Sequence, residues 1–276
     1  MSINKITDYT VLNNGARMPW LGLGVFQVDD GEEVIRSIRY ALETGYRSID
    51  TAAGYHNEAG VGTAIKQSGI PREELFITTK LANSDQGYES TLRAFEESLR
   101  KLDLEYIDLY LIHWPGRDKY KETWRAFEKL QKDGYIRTIG VSNFKIHHLE
   151  SLKQDSDTVP AVNQVEFHPL LNQQELLQYC KSKGIQLEAW TPIMKGNLDL
   201  PQITELAKKH GKTPAQIVLR WDLQHEIVTI PKSVHQERIK ENANIFDFTL
   251  TDEDMKAIDL MNRDHRFGPD PDELLF

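Results

Sequence analysis

Short runs rich in Val, Ile and Leu alternate with longer stretches of helical period along almost the whole chain, and no other feature limits its fold so strongly. A strand followed each time by an amphipathic helix returns parallel to its predecessor, so the pattern calls for a parallel sheet covered by crossover helices. Both faces of such a sheet are buried, which is why its strands read as continuous apolar runs. The clearest runs are 75–79, 107–112, 136–141, 162–165, 185–189 and 228–230, with weaker ones at 20–23 and 47–49. That makes about eight, the number that closes a (β/α)8 barrel. Amphipathic segments fill the gaps at 32–42, 58–66, 88–102, 121–132, 146–152, 174–183 and 201–209.

The punctuation agrees with this division. Gly45, Gly69, Gly134, Gly184 and Gly211 follow helical segments where a left-handed cap is wanted, and Thr213-Pro214 reads as an N-cap and first helical residue. Ahead of the first strand, 11–18 turns on Asn13, Asn14 and Gly15 and reads as a β-hairpin that plugs the bottom of the barrel. No linker, repeat or composition break divides the chain, so residues 1–276 are expected to form a single domain, with an irregular tail from Asp264 through Pro269 and Pro271. An open doubly wound sheet is the main competitor. It would carry a glycine-rich phosphate turn, and Gly22-Leu-Gly24 is followed by Gln27 where the third glycine should stand.

Composition removes several function classes. A net charge of −9 without a concentrated basic face argues against nucleic-acid binding. No apolar run reaches the roughly 18 residues that span a bilayer, and 1–9 lacks an apolar leader, so a soluble, cytoplasmic protein is expected. The one cysteine, Cys180, has Leu176, Leu177 and Tyr179 for neighbours and reads as a small buried hydrophobe. There is no His-x-His and no His-Glu-x-x-His, and the adjacent His147 and His148 are expected to point to different sides of a helix, so no metal site is expected. Glu166 and Glu188 lie on late strands, but the fourth strand ends in His113 rather than an acid, which weakens a glycosidase reading.

In a parallel barrel the reactive groups close the C-terminal ends of strands. Here those positions are Asp50, with Tyr55 in the loop beyond it, then Lys80, then His113. The set has a chemical logic, because a phenol with a pKa of about 10 is a weak proton donor at neutral pH. Lys80 would stabilise the Tyr55 phenolate and lower that pKa, Asp50 would keep Lys80 charged, and His113 could donate a hydrogen bond to a substrate oxygen.

Three spaced motifs then carry a resemblance. They are Gly45-Tyr-Arg-Ser-Ile-Asp50-Thr-Ala-Ala-Gly-Tyr55-His-Asn-Glu58 with Gly62, Ile139-Gly-Val-Ser-Asn-Phe144, and Ile230-Pro-Lys-Ser233 with Arg238, Glu241 and Asn242. Together they resemble the aldo-keto reductases over essentially the entire chain. The resemblance implies a barrel that binds NADPH without a Rossmann fold. It implies Tyr55 as proton donor, Lys80 and Asp50 as its tuning pair and His113 as the group that orients the carbonyl. Ser142, Asn143 and Gln164 match residues that hold the nicotinamide carboxamide, and Trp190 matches an aromatic that stacks on its ring. Lys232, Ser233 and Arg238 suit a 2′-phosphate, favouring NADPH over NADH, while Glu241 and Asn242 match adenine contacts. The 198–200 segment matches a loop over the pyrophosphate.

Trp20, Phe26 and Trp114 are expected to give the pocket aromatic walls. Lys80-Leu81-Ala82 stands where relatives commonly read Lys-Leu-Trp, so a wider mouth is expected. With the short tail after His265, this implies broad specificity toward small aldehydes and dicarbonyls such as glyoxal and methylglyoxal, with diketogluconate-type sugar acids second. The motif wording looks most like bacterial glyoxal or methylglyoxal reductases. A non-catalytic barrel that binds NADP(H) as a sensor or structural subunit is the rival from another class. A monomer is expected, its mouth locally basic through Lys80, Lys232 and Arg238 despite the acidic total.

Overall fold

The computed structural model describes residues 3–116 and 119–274. Strands β1 (Tyr9–Val11) and β2 (Arg17–Pro19) pair antiparallel, with Thr10 opposite Met18. Side chains of the turn between them reach down-strand backbone: Asn13 donates to Pro160 O at 3.2 Å and Asn14 to Arg137 O at 3.1 Å. Both acceptors lie near the starts of barrel strands, so the hairpin caps the N-terminal end, as its turn residues predict.

The barrel comprises β3 (Leu23–Gly24), β4 (Ser48–Asp50), β5 (Phe76–Leu81), β6 (Ile107–Ile112), β7 (Ile136–Ser142), β8 (Val162–Glu166), β9 (Gln186–Trp190) and β10 (Val228–Thr229). These eight strands lie parallel in sequence order. Bridges from Leu21 to Thr229 and from Gly24 to Lys232 join the first strand to the last and close the ring. It is a (β/α)8 barrel.

Helices α1 (Glu32–Thr44), α2 (Glu58–Ser68), α3 (Tyr88–Leu102), α4 (Tyr120–Lys132), α5 (Ile146–Lys153), α6 (Gln174–Lys183), α7 (Pro201–His210), α8 (Pro214–Gln224), α9 (Gln236–Ala243) and α10 (Asp252–Asp259) complete it. In α3 the buried residues are Thr91, Phe95, Ser98 and Leu102, a 4-3-4 spacing that puts one stripe against the sheet. Gly62 of α2 lies so close to the Leu102 carbonyl that any Cβ there would overlap it, which accounts for a glycine inside a helix. The expected capping glycines at 45, 69, 134, 184 and 211 all have positive φ, and Thr213 accepts from Gln216 N as an N-cap. The sequence pattern did not delimit α9 or α10, although Thr251 and Asp254 form a capping box that starts α10. No helix among the described residues is long and apolar enough to cross a membrane.

Candidate active site

The register carries Asp50, Tyr55, Lys80 and His113 to one end of the barrel. Asp50 closes β4, Tyr55 ends a single 3-10 turn, Ala53–Tyr55, directly beyond it, Lys80 is the penultimate residue of β5, and His113 follows β6. Lys80 is fully buried, and its ammonium has three partners: Asp50 Oδ1 at 2.6 Å, Thr51 O at 2.9 Å and Tyr55 Oη at 3.2 Å. All three of its hydrogens are thus placed. Tyr55 Oη accepts one of them and donates to no other group among the described residues, so its own hydrogen is free to face a substrate.

Burial, the largest single influence, would pull Lys80 down, but the charges of Asp50 and Tyr55 and its hydrogen bonds to both together outweigh it and hold the ammonium above its ordinary range. Burial pushes Asp50 up against the pull of Lys80. We read the two as an ion pair, because a neutral Asp50 would leave a buried ammonium without its counter-charge. For Tyr55 the expectation needs correction. Lys80 does act to lower the phenol, but desolvation is larger and the net shift is upward. Lys80 therefore offsets the cost of burying the phenol rather than making it more acidic than in water. The His113 ring stands edge-on to Tyr55, centroids 5.7 Å apart. Desolvation and then Lys80 pull His113 down to about 3, so it is neutral at working pH.

Beside these four lies a polar row. Ser142 Oγ donates to Gln164 O at 2.8 Å and accepts from Asn143 Nδ2 at 3.1 Å; the same Nδ2 donates to His113 O at 3.0 Å. Asn143 adopts left-handed backbone, φ 63°, and its Oδ1 accepts Trp190 Nε1 at 2.8 Å. Gln164 Nε2 donates to Asp50 Oδ2 at 2.7 Å and to Glu188 Oε2 at 2.8 Å. The half-buried Trp190 faces Trp114 edge-on at 6.5 Å, and exposed Phe26 lies 4.9 Å from the Tyr55 ring.

Trp20 does not share this mouth. Its carbonyl accepts from Thr229 N and its N–H donates to Asp8 O, beside the hairpin and a full four residues below Gly24, so the buried indole belongs to the floor of the barrel. An inward-facing period of two places Trp20 on the same face as Gly24 but at the wrong height. The locally basic mouth is also narrower than expected, since Lys80 is buried and paired. Lys232 and Arg238 remain exposed, at the end of β10 and in the first turn of α9, and neither enters an ion pair among the described residues. Ser233 between them is buried and accepts from His235 N. On α9, Asn242 is buried and Glu241 accepts from Thr213 Oγ1.

Two further side chains sit differently from the sequence pattern. His147 and His148 do not diverge: their rings lie 4.0 Å apart and both Nε2 atoms approach Asp272 Oδ1, at 3.0 and 3.5 Å. The cause is His148 Nδ1, which accepts the Lys145 N–H and turns the ring back over the helix start. That bond puts the neutral ring's proton on Nε2, facing Asp272, and leaves no lone pair there for a metal. Glu166 is not free for acid chemistry, because its carboxylate accepts from His168 Nε2, Phe267 N and Gly268 N. Cys180 is fully buried, which pushes its thiol up to about 12.

A family model described as the aldo/keto reductase family matches residues 20–263. The chain belongs to the aldo/keto reductase family. It is similar to a glyoxal reductase of Bacillus subtilis, at 63% identity over 273 residues and 99% of both chains. It is also similar to the methylglyoxal reductase DkgA of Escherichia coli, at 50% identity over 95% of this chain and 96% of that one. Among solved structures, a Gox0644 mutant in complex with NADPH superposes with a TM-score of 0.93 at 43% identity, over 97% and 98% of the two chains. The aldo/keto reductase is accordingly an NADP-dependent oxidoreductase.

Two groups bonded into the candidate site were not assigned to it from the sequence. Thr51 acts through its carbonyl, which any residue could supply, and Glu188 was weighed only as a possible glycosidase acid. A Glu two residues before Trp190, on the same face of β9, was the available clue to the second.

Proposed function

We propose that the protein reduces small aldehydes and reactive dicarbonyls, glyoxal and methylglyoxal among them, to alcohols with NADPH, and that Tyr55 gives the proton. The observation that carries this is the Tyr55 hydroxyl itself, which accepts from a buried, ion-paired Lys80 and keeps its own hydrogen unengaged among the described residues. A barrel that only binds a nucleotide has no use for a buried ammonium against a phenol.

The donor set suits the cofactor. Exposed Lys232 and Arg238 suit a 2′-phosphate, the Trp190 face suits a nicotinamide ring, and Gln164 Oε1 with Ser142 and Asn143 suits its carboxamide. When bound, the reduced nicotinamide supplies a hydride to the carbonyl carbon. Neutral His113 holds the carbonyl oxygen by a hydrogen bond, which aims the carbon and stabilises the charge that develops on the oxygen. Tyr55 then transfers its proton to that oxygen, and Lys80, already 3.2 Å from Oη, stabilises the phenolate left behind. Phe26, Trp114 and Trp190 give the mouth apolar walls that exclude water. Half-buried Ala82 leaves space at the rim, consistent with broad specificity.

Following NADPH absorbance with methylglyoxal tests the reading. Oxidation that depends on both protein and carbonyl is expected; cofactor binding without oxidation across a panel of aldehydes and dicarbonyls would leave only a binding barrel.

A further inference from the structure

Strand β9 places a carboxyl group in the barrel that the chemistry above does not use. Glu188 is fully buried, its Oε2 accepts Gln164 Nε2 at 2.8 Å, and its Oε1 has no partner. The second hydrogen of that Nε2 goes to Asp50 Oδ2 at 2.7 Å, and Asp50 Oδ1 holds Lys80, which holds Tyr55. One line of hydrogen bonds therefore runs from Glu188 to the proton donor.

A primary amide has a donor end and an acceptor end. Asp50, facing an ammonium, can only accept, so the Gln164 nitrogen must face it and the oxygen must face away. Glu188 takes the remaining hydrogen of the same nitrogen. Without it that N–H would be buried and unpaired, and the amide would be held by a single bond about which it can turn.

We propose that Glu188 is a positioning residue: by holding the second Gln164 hydrogen it fixes the amide with Oε1 toward the nicotinamide site, and it ties its own charge state to the Asp50, Lys80 and Tyr55 line. The assignment rests on the NADPH reading above. The charged and titratable groups that face Glu188 are Asp50 from β4, Lys80 from β5 and Tyr55 beyond β4; Gln164 of β8 and the β10 neighbours Val228 and Thr229 carry no charge. No cation pairs with Glu188 among the described residues. Burial, then the Asp50 charge, pushes it up to about 8, so it is neutral at neutral pH and ionises just above. Proton donation by Tyr55 adds a negative charge to the line. A second one on Glu188 opposes that step, so the reduction runs best while Glu188 keeps its proton.

Two variants separate these roles. Glu188→Gln keeps an acceptor oxygen for Gln164 but never ionises; Glu188→Leu removes the acceptor. In the wild type, kcat with methylglyoxal declines above about pH 8 while NADPH affinity, read by quenching of tryptophan fluorescence, does not, and Glu188→Gln loses that decline in kcat. Near neutral pH, Glu188→Leu binds NADPH about tenfold or more weakly than Glu188→Gln, the cost of one unpaired buried donor. A wild-type decline retained in Glu188→Gln overturns the proposal, and so does equal affinity of the two variants. A third readout needs neither cofactor nor a Leu variant that folds: the loss of protonated-carboxyl infrared absorption as pH rises through about 8 in the wild type, a loss missing from Glu188→Gln. Absence of that loss from the wild type overturns the proposal even in an active reductase. Its presence in a protein that turns over no carbonyl supports the assignment and sinks the reductase reading alone.

Discussion

Gly268 lies against the Trp190 indole with no room for a side chain: a Cβ there would overlap Cη2 and stand 3.2 Å from Cζ3. The tail is pinned in this position by Glu166, whose carboxylate accepts Phe267 N at 2.6 Å and Gly268 N at 3.1 Å, and by Lys195, which donates to Phe267 O at 2.9 Å. On its other side the indole is tied to Asn143 through Nε1. Trp190 is thus held between the tail and the polar row beside the candidate catalytic groups.

Gly268→Ala should therefore push the indole off its position, since a closely packed site cannot absorb an added methyl without displacement, typically at about 1–3 kcal/mol. The expected outcome is an altered tryptophan fluorescence spectrum and NADPH binding weakened about tenfold, with melting lowered by several degrees. Unchanged NADPH affinity in the folded variant would show that the place of Trp190 does not govern the cofactor.

For the proton donor, Tyr55→Phe removes only the hydroxyl that Lys80 touches. Turnover is expected to drop by roughly two or more powers of ten, while NADPH affinity stays near the wild-type value because the ring still packs beside Phe26. Lys80→Met should also cut turnover and in addition destabilise the fold, because it leaves the Asp50 charge buried without its partner. Turnover that survives Tyr55→Phe would remove Tyr55 from its role.

The neutral His113 gives a pH prediction. Its folded value of about 3 lies below the ordinary 6.5, so it gains no charge as pH falls through the usual histidine range. The rate is expected to show no histidine step between about pH 5 and 7.5. Between about 6.5 and 3 the unfolded chain takes up a proton at this position that the native protein does not, so this contribution to stability is present above 6.5 and is lost as pH falls. Urea midpoints near pH 7 and pH 5 should accordingly diverge more in the wild type than in His113→Asn, whose side chain does not titrate. An equal loss in both proteins would contradict the assignment.

What the chain discloses before its structure divides along a physical line. The barrel was legible because burial on both faces forces the apolar runs, and Asp50, Lys80 and His113 were legible because strand ends are fixed by those runs. Properties that depend on three-dimensional distance were not. Trp20 falls on the inward face but at the floor, Lys80 is cancelled by Asp50, and the Tyr55 shift turns on desolvation that no motif encodes. The His147 and His148 pair converges because Lys145 N–H caps His148 and the distant Asp272 meets both rings, a long-range contact that helical geometry alone cannot show.

Cofactor choice gives the last prediction. Lys232 and Arg238 are exposed and form no ion pair among the described residues, so their charges are available to an anion. A 2′-phosphate distinguishes NADPH from NADH by that group alone, and an Arg contact with it is directional as well as electrostatic. Arg238→Ala and Lys232→Ala should each weaken NADPH about tenfold or more, leave NADH within about twofold, and reduce the salt dependence of NADPH binding, since each removes one charge that salt screens. Titration of both cofactors at low and high ionic strength checks this. If the two cofactors lost affinity equally, the contact would be to a part they share, and the assignment of these cations to the 2′-phosphate would be wrong.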